Sequence, residues 1–206
     1  MVAIIDYQMG NTRSVAKTLK AIGYDAVLTN DHKQLRDASH LILPGVGAFA
    51  DGMKNLSDLG LIEILHEEVI KKGKPILAIC IGVQLLADQG MEHGGPHTGL
   101  GWIHGKVEHF TVNETKYKVP HVGWNNITLV NDSPLFKLVP QPNPDFYFVH
   151  SYHLKASNPQ DIIATCDYGE IFVAAVQKEN IFGTQFHPEK SQKNGVRILK
   201  NFLSNI

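Results

Sequence analysis

The run Pro75-Ile76-Leu77-Ala78-Ile79-Cys80 passes without a break into Ile81-Gly82-Val83-Gln84-Leu85-Leu86-Ala87, and this junction constrains the fold more than any other stretch of the chain. A short apolar run preceded by the helix stop Gly73-Lys74-Pro75 reads as a buried strand, and the residues after it read as a helix. The thiol therefore stands on a sharp strand-to-helix turn, which projects its side chain. Such a turn also aims the next backbone N–H at the reaction centre and offers the positive helix end to a thiolate.

The first half repeats this alternation. Strand patterns at 2–6, 26–29, 40–43 and 76–80 are interleaved with helical patterns at 13–22, 61–72 and 83–88. That order argues for an α/β fold with a mostly parallel central sheet flanked by helices. From Trp102 onward strand-like stretches dominate, at 102–110, 127–130, 146–153, 162–165, 173–177 and 181–186, so the second half is expected to add an antiparallel section. A last helix over 192–204 carries Val196, Leu199, Phe202 and Leu203 on one stripe for docking on the core.

At 206 residues with no repeat, linker or low-complexity tract, a single domain spanning 1–206 is expected. Charge is nearly balanced, 19 Lys plus Arg against 20 Asp plus Glu, without a basic stripe, so nucleic acid is not an expected partner. No apolar stretch approaches the ~20 residues that cross a bilayer, and Met1-Val2-Ala3-Ile4-Ile5-Asp6 lacks the basic start of a signal peptide. With two cysteines and no disulfide framework, the expectation is a cytoplasmic protein with free thiols and no membrane association.

A lone cysteine in an apolar run is ordinarily inert core, as Cys166 in Ile163-Ala164-Thr165-Cys166-Asp167 is read to be. Cys80 differs. Gly82 permits close strand–helix approach, and Gln185-Phe186-His187-Pro188-Glu189 supplies a base and a carboxylate at i and i+2 of an expected extended segment, where they face one way. Cys80 then reads as nucleophile, His187 as acid–base and Glu189 as the group that orients the imidazole, as in a cysteine hydrolase or acyl-transfer enzyme.

Pro44-Gly45-Val46-Gly47-Ala48-Phe49, after the strand at 40–43, is a second glycine-rich loop suited to presenting backbone N–H groups to an oxyanion. Its Gly45-x-Gly47-x-x-Ala50 spacing also fits a loose dinucleotide fingerprint, and a dinucleotide-binding oxidoreductase stays open as an alternative. Against it stand the loop's position after a later strand and an expected interruption of the following helix at Asp51-Gly52. No metal is expected: His93 and His97 flank Gly94-Gly95-Pro96, and His150 and His153 would face opposite ways on one strand.

With these residues placed, the chain resembles the class I, triad-type glutamine amidotransferases, and within them the glutaminase subunits of imidazole glycerol phosphate synthases in histidine biosynthesis. The matching segments run nearly end to end, among them Asp6-Tyr7-x-Met9-Gly10-Asn11, Pro44-Gly45-Val46-Gly47-Ala48-Phe49, Lys118-Val119-Pro120-His121-x-Gly123-Trp124-Asn125, Tyr147-Phe148-Val149-His150-Ser151-Tyr152 and His187-Pro188-Glu189-Lys190-Ser191-Gln192. The resemblance implies hydrolysis of L-glutamine to glutamate and ammonia through a Cys80 thioester. It implies an oxyanion hole from the N–H of Ile81 and one from the loop at Val46 or Gly47. Gln84, Glu92, Ser151 and Tyr152 would hold glutamine. Asn11, Trp124 and Lys190 would face a (β/α)8-barrel cyclase in a heterodimer that receives the ammonia and makes imidazole glycerol phosphate and AICAR. No coenzyme or metal is required.

Overall fold

The computed structural model describes residues 1–113 and 115–206. The first half runs β1 (Val2–Ile5), α1 (Thr12–Ala21), β2 (Ala26–Thr29), α2 (His32–Asp37), β3 (His40–Gly45), α3 (Phe49–Asp58), α4 (Leu61–Leu65), β4 (Ile76–Cys80) and α5 (Ile81–Leu85). It continues through the short strands β5 (Gln89–Gly90) and β6 (His97–Thr98), then β7 (Gly105–His109), β8 (His121–Leu129), β9 (Asp145–His150) and β10 (Tyr152–Ala156). The chain ends with β11 (Ile162–Asp167), β12 (Ile171–Lys178), β13 (Ile181–Thr184) and α6 (Gln192–Asn205).

The main sheet has the order β2-β1-β3-β4-β13-β12-β11-β8-β9. From β2 to β13 every pairing is parallel, and from β13 to β9 every pairing is antiparallel. A smaller sheet, β10-β7-β5-β6, lies beside it. Parallel strands buried on both faces must be apolar on both, and these are: Ala3, Ile5, Ile76 and Ala78 join α3, α4 and α5 on one side, while Val2, Ile4, Leu77 and Ile79 join α1 and α6 on the other. Among the described residues no helix is long and apolar enough to cross a membrane.

Several expected elements change form. The helix read at 61–72 is α4 followed by a π-helical stretch, His66–Lys71. The helix read at 83–88 begins at Ile81, directly after the thiol, and ends at Leu85. The strand read at 102–110 starts only at Gly105, because Trp102 and Ile103 turn inward onto the core. The strand read at 146–153 breaks at Ser151 into β9 and β10, which belong to different sheets. In consequence His150 and His153 do not oppose each other across one strand: both rings pack on Phe110 and Phe172. The expected interruption at Asp51-Gly52 does not occur either. Helix α3 continues through Gly52, where a Cβ would come within 3.0 Å of Leu85, so the glycine serves helix packing rather than helix termination.

Candidate active site

Strand β4 sits between β3 and β13 at the middle of the parallel section, and its carboxyl end delivers Cys80 to the edge of the sheet, where ligands collect in open α/β folds. Cys80 has φ 56° and ψ −110°, a backbone conformation that L-residues rarely adopt. The turn is this sharp because α5 starts at the very next residue and lies hard against β3. A Cβ on Gly82 would stand 2.0 Å from the Leu43 carbonyl oxygen. Gly82→Ala should therefore displace the elbow and destabilise the fold by about 1–3 kcal/mol or more, as overpacking against an immovable backbone does. A denaturant midpoint unchanged from the parent chain would refute this.

His187 and Glu189 reach the thiol by a route other than the expected one. Strand β13 ends at Thr184, and Pro188–Lys190 forms a 3-10 turn rather than an extended segment. Side chains meet across that turn: His187 Nδ1 lies 2.7 Å from Glu189 Oε1. Nδ1 is thereby committed to the carboxylate, leaving Nε2, which has no hydrogen-bond partner, free for the thiol. Strand β9 holds the turn in place. The His187 N–H donates to the Tyr147 carbonyl at 2.9 Å, and Ser191 Oγ donates to the His187 carbonyl while accepting from the Tyr147 N–H.

Burial by itself lowers the His187 pKa, but the Cys80 thiol and the Glu189 carboxylate outweigh it and lift the value to about 9. Burial pushes Glu189 the other way, and hydrogen bonds and charge from His187, with a further bond from Asn11, hold its carboxyl below the usual range. The imidazolium so favoured gives the nucleophile at Cys80 a neighbouring proton donor. Cys166 is the opposite case: buried in β11, its thiol is pushed up to about 12 by burial and by Asp167.

A cleft of about 260 Å³ opens over the thiol, lined by Val46, Gly47, Cys80, Ile81, Gln84, Glu92 and residues 149–152. It gathers every residue expected to form the oxyanion hole or to hold the substrate. Gln84 donates to the Tyr152 carbonyl at 2.8 Å and to Gln185 Oε1 at 3.1 Å. Glu92 Oε2 accepts from the Phe49 N–H at 2.6 Å, so this carboxylate caps α3 as well as walling the cleft. The Ile81 N–H belongs to the first turn of α5, whose donors have no intrahelical acceptor. The Val46 N–H, in contrast, donates to the Met9 carbonyl at 2.8 Å and is engaged away from an oxyanion in this conformation.

The residues expected at a partner surface divide. Trp124 is 44% exposed on β8, packs edge-on to Tyr147, and has Lys190 across the same tyrosine ring. Asn11 is half-buried and donates to Glu189 Oε1 at 2.5 Å, bringing it into contact with the triad. Sequence reading missed Gln185, whose amide nitrogen lies 3.9 Å from Cys80 Sγ. It stands two residues before His187, so the face-sharing argument applied to His187 and Glu189 would have found it. Beside Gly45, the space a Cβ would occupy is filled by the Tyr7 hydroxyl at 2.2 Å and an Ile81 methyl at 2.4 Å, which leaves no room there for a pyrophosphate.

The family profile described as glutamine amidotransferase class-I matches residues 3–206. Imidazole glycerol phosphate synthase subunit HisH 2 of Nitrobacter winogradskyi is 46% identical over 98% of this chain and 97% of its own length. Subunit HisH 1 of Campylobacter jejuni (strain RM1221) is also 46% identical, over 98% and 99%, and the HisH subunit of Aquifex aeolicus is 44% identical, over 97% and 94%. In structure, the chain superposes on a crystallised glutamine amidotransferase with a TM-score of 0.75, covering 98% of this chain and 96% of that one at 17% identity. PurLQS from Thermotoga maritima gives 0.74, covering 99% and 97% at 17% identity. At such identities the structural likeness speaks to the fold alone.

Proposed function

The chain belongs to the class-I glutamine amidotransferases, and from that premise we propose that it is the glutaminase subunit of an imidazole glycerol phosphate synthase, feeding ammonia to a cyclase subunit in histidine biosynthesis. The observation that carries the chemistry is Cys80 in the lining of the cleft with the buried His187–Glu189 pair coupled to it. The Cys80 thiolate attacks the carboxamide carbon of glutamine, and the carbonyl π-pair moves onto oxygen. Collapse of that oxyanion breaks the C–N bond as the His187 imidazolium protonates the departing nitrogen, giving ammonia and a γ-glutamyl thioester. Water then attacks the thioester with His187 as base, and glutamate and the thiolate are regenerated.

Stabilising the oxyanion takes two N–H donors, one from Ile81 and one from the Val46–Gly47 segment. Since the Val46 N–H is bonded to Met9, the loop has to turn before catalysis is efficient. Gly47, at φ +124°, has the backbone freedom to permit that. The partner surface centres on Trp124, Tyr147 and Lys190, beside the backbone that holds His187. Cytoplasmic residence and a (β/α)8-barrel shape for the cyclase complete the reading.

Glutamate release from glutamine tests this directly, measured for the chain alone, with the cyclase, and with the cyclase plus its nucleotide substrate. The chain alone should be a poor glutaminase, and the liganded complex should be faster by about 10²–10³-fold, the effect of gaining one oxyanion donor. Trp124→Ala should weaken that stimulation. Equal rates in all three conditions would overturn the coupling, and no glutamate in any of them would overturn the function.

A further inference from the structure

Two histidines next to the cleft have no part in the proposed reaction. His121 on β8 and His150 on β9 stand directly opposite each other in the antiparallel ladder, and both are buried. Their rings make a chain of hydrogen bonds whose direction can be worked out from one end. His150 Nδ1 lies 2.9 Å from the Tyr152 carbonyl, which can only accept, so Nδ1 carries the proton. In a neutral ring Nε2 is then an acceptor. It lies 3.2 Å from His121 Nδ1, which must donate. His121 Nε2 becomes the acceptor in turn, with the Asn125 amide nitrogen 3.5 Å away and that amide also donating to the Asp167 carbonyl at 3.0 Å. Burial keeps both rings neutral, lowering His150 well below its ordinary value and His121 to about 4.

The carbonyl that ends this chain of bonds has a second partner. Tyr152 O also receives the Gln84 amide at 2.8 Å, so it ties the elbow helix α5 to the bend at Ser151 where β9 gives way to β10. Gln84, His150, Ser151 and Tyr152 all line the cleft over Cys80. We infer that His150 is a positioning residue for the substrate: fixed in its Nδ1–H form by His121, it holds the Tyr152 carbonyl and thereby the Ser151–Tyr152 wall against which glutamine is seated. This inference rests on the glutaminase reading for its substrate, while the tautomer it requires is independent of any activity.

The test has two parts. Long-range nitrogen–proton correlation spectra of the full chain with labelled histidine read the tautomer, and His150 should show a protonated Nδ1 and a bare Nε2, the form that is less favoured in water. A protonated Nε2 would overturn the inference whatever the enzyme does. Steady-state glutamine kinetics of the cyclase complex supply the second part. His150→Phe keeps the ring and removes the donor, and it should raise KM about tenfold, the worth of one hydrogen bond, with a smaller effect on kcat. His150→Asn places an amide nitrogen near the former Nδ1 and should return KM to within about threefold of the parent. Should His150→Phe fail to fold, His121→Phe against His121→Asn poses the same contrast one link further out. An unchanged KM in the Phe variant, or equal increases in the Phe and Asn variants, would refute the positioning role. If the parent complex itself releases no glutamate, the glutaminase reading fails, and the tautomer measurement still decides the state of the histidine chain.

Discussion

Cys80→Ala lowers glutamine turnover by on the order of 10⁴-fold or more, the loss expected when a covalent nucleophile is removed, while Cys166→Ala keeps most of the activity. The asymmetry follows from where the two thiols stand. Cys80 occupies a strained turn at the end of β4 with a protonated imidazole beside it. Cys166 is sealed in β11 with its ionisation pushed up to about 12. Glutamate release by the cyclase complex measures both, and a glutamine-like electrophile should label Cys80 with protection by glutamine but not by NAD. A Cys80→Ala complex that turns over at a near-parental rate would remove the basis of the mechanism.

His187→Ala lowers turnover by about 10²–10⁴-fold, and adding Glu189→Gln to that variant costs far less than the product of the two single losses. The reason is that the carboxylate acts through the imidazole: Glu189 Oε1 holds Nδ1 at 2.7 Å, and nothing is left for it to orient once the ring is gone. The pH profile gives a second check. Although burial by itself lowers the His187 pKa, Cys80 and Glu189 raise it to about 9, so the imidazolium persists through neutral pH and kcat/KM should fall as pH rises through that value. Glu189→Gln removes one of the raising influences and should bring the alkaline fall to lower pH. Losses that multiply fully, or an alkaline limb that stays in place, would show that the two residues do not act as one unit.

The central strand, the elbow and the triad are legible in the sequence because each rests on local chemistry: an apolar run, a glycine two residues past the thiol, and a His-Pro-Glu segment. The i, i+2 argument for His187 and Glu189 reaches the correct pair through the wrong backbone, since proline starts a 3-10 turn that brings the side chains together. What the sequence conceals depends on long-range placement. Asn11 touches Glu189 only because α1 and the 3-10 turn pack side by side, a contact across 178 residues. The division of one long strand at Ser151 between two sheets is likewise set by which neighbours are available on each side. Strand β8 reads as a strand only from Ile127 onward because its first half, His121 to Asn126, is rich in polar residues. Those residues form a strand through pairing with β9. The expected break at Gly52 fails for a related reason: contact with Leu85 selects a glycine there that propensity alone would place outside a helix.

The backbone at Cys80 also bears on how much mutation the chain can absorb. A non-glycine residue held at φ 56° and ψ −110° costs of order 1–3 kcal/mol, in a class of molecules whose whole stability is about 5–15 kcal/mol. The side chain that performs the chemistry thus sits where glycine would fold more readily, and the rest of the molecule compensates through the packing of β3, β4, β13 and α5. Any substitution that loosens those neighbours draws on a reserve already reduced by the elbow. Robustness to sequence drift should accordingly be lowest around the nucleophile even at positions that never meet the substrate, while a Cys80→Gly chain would tolerate the same changes with more to spare.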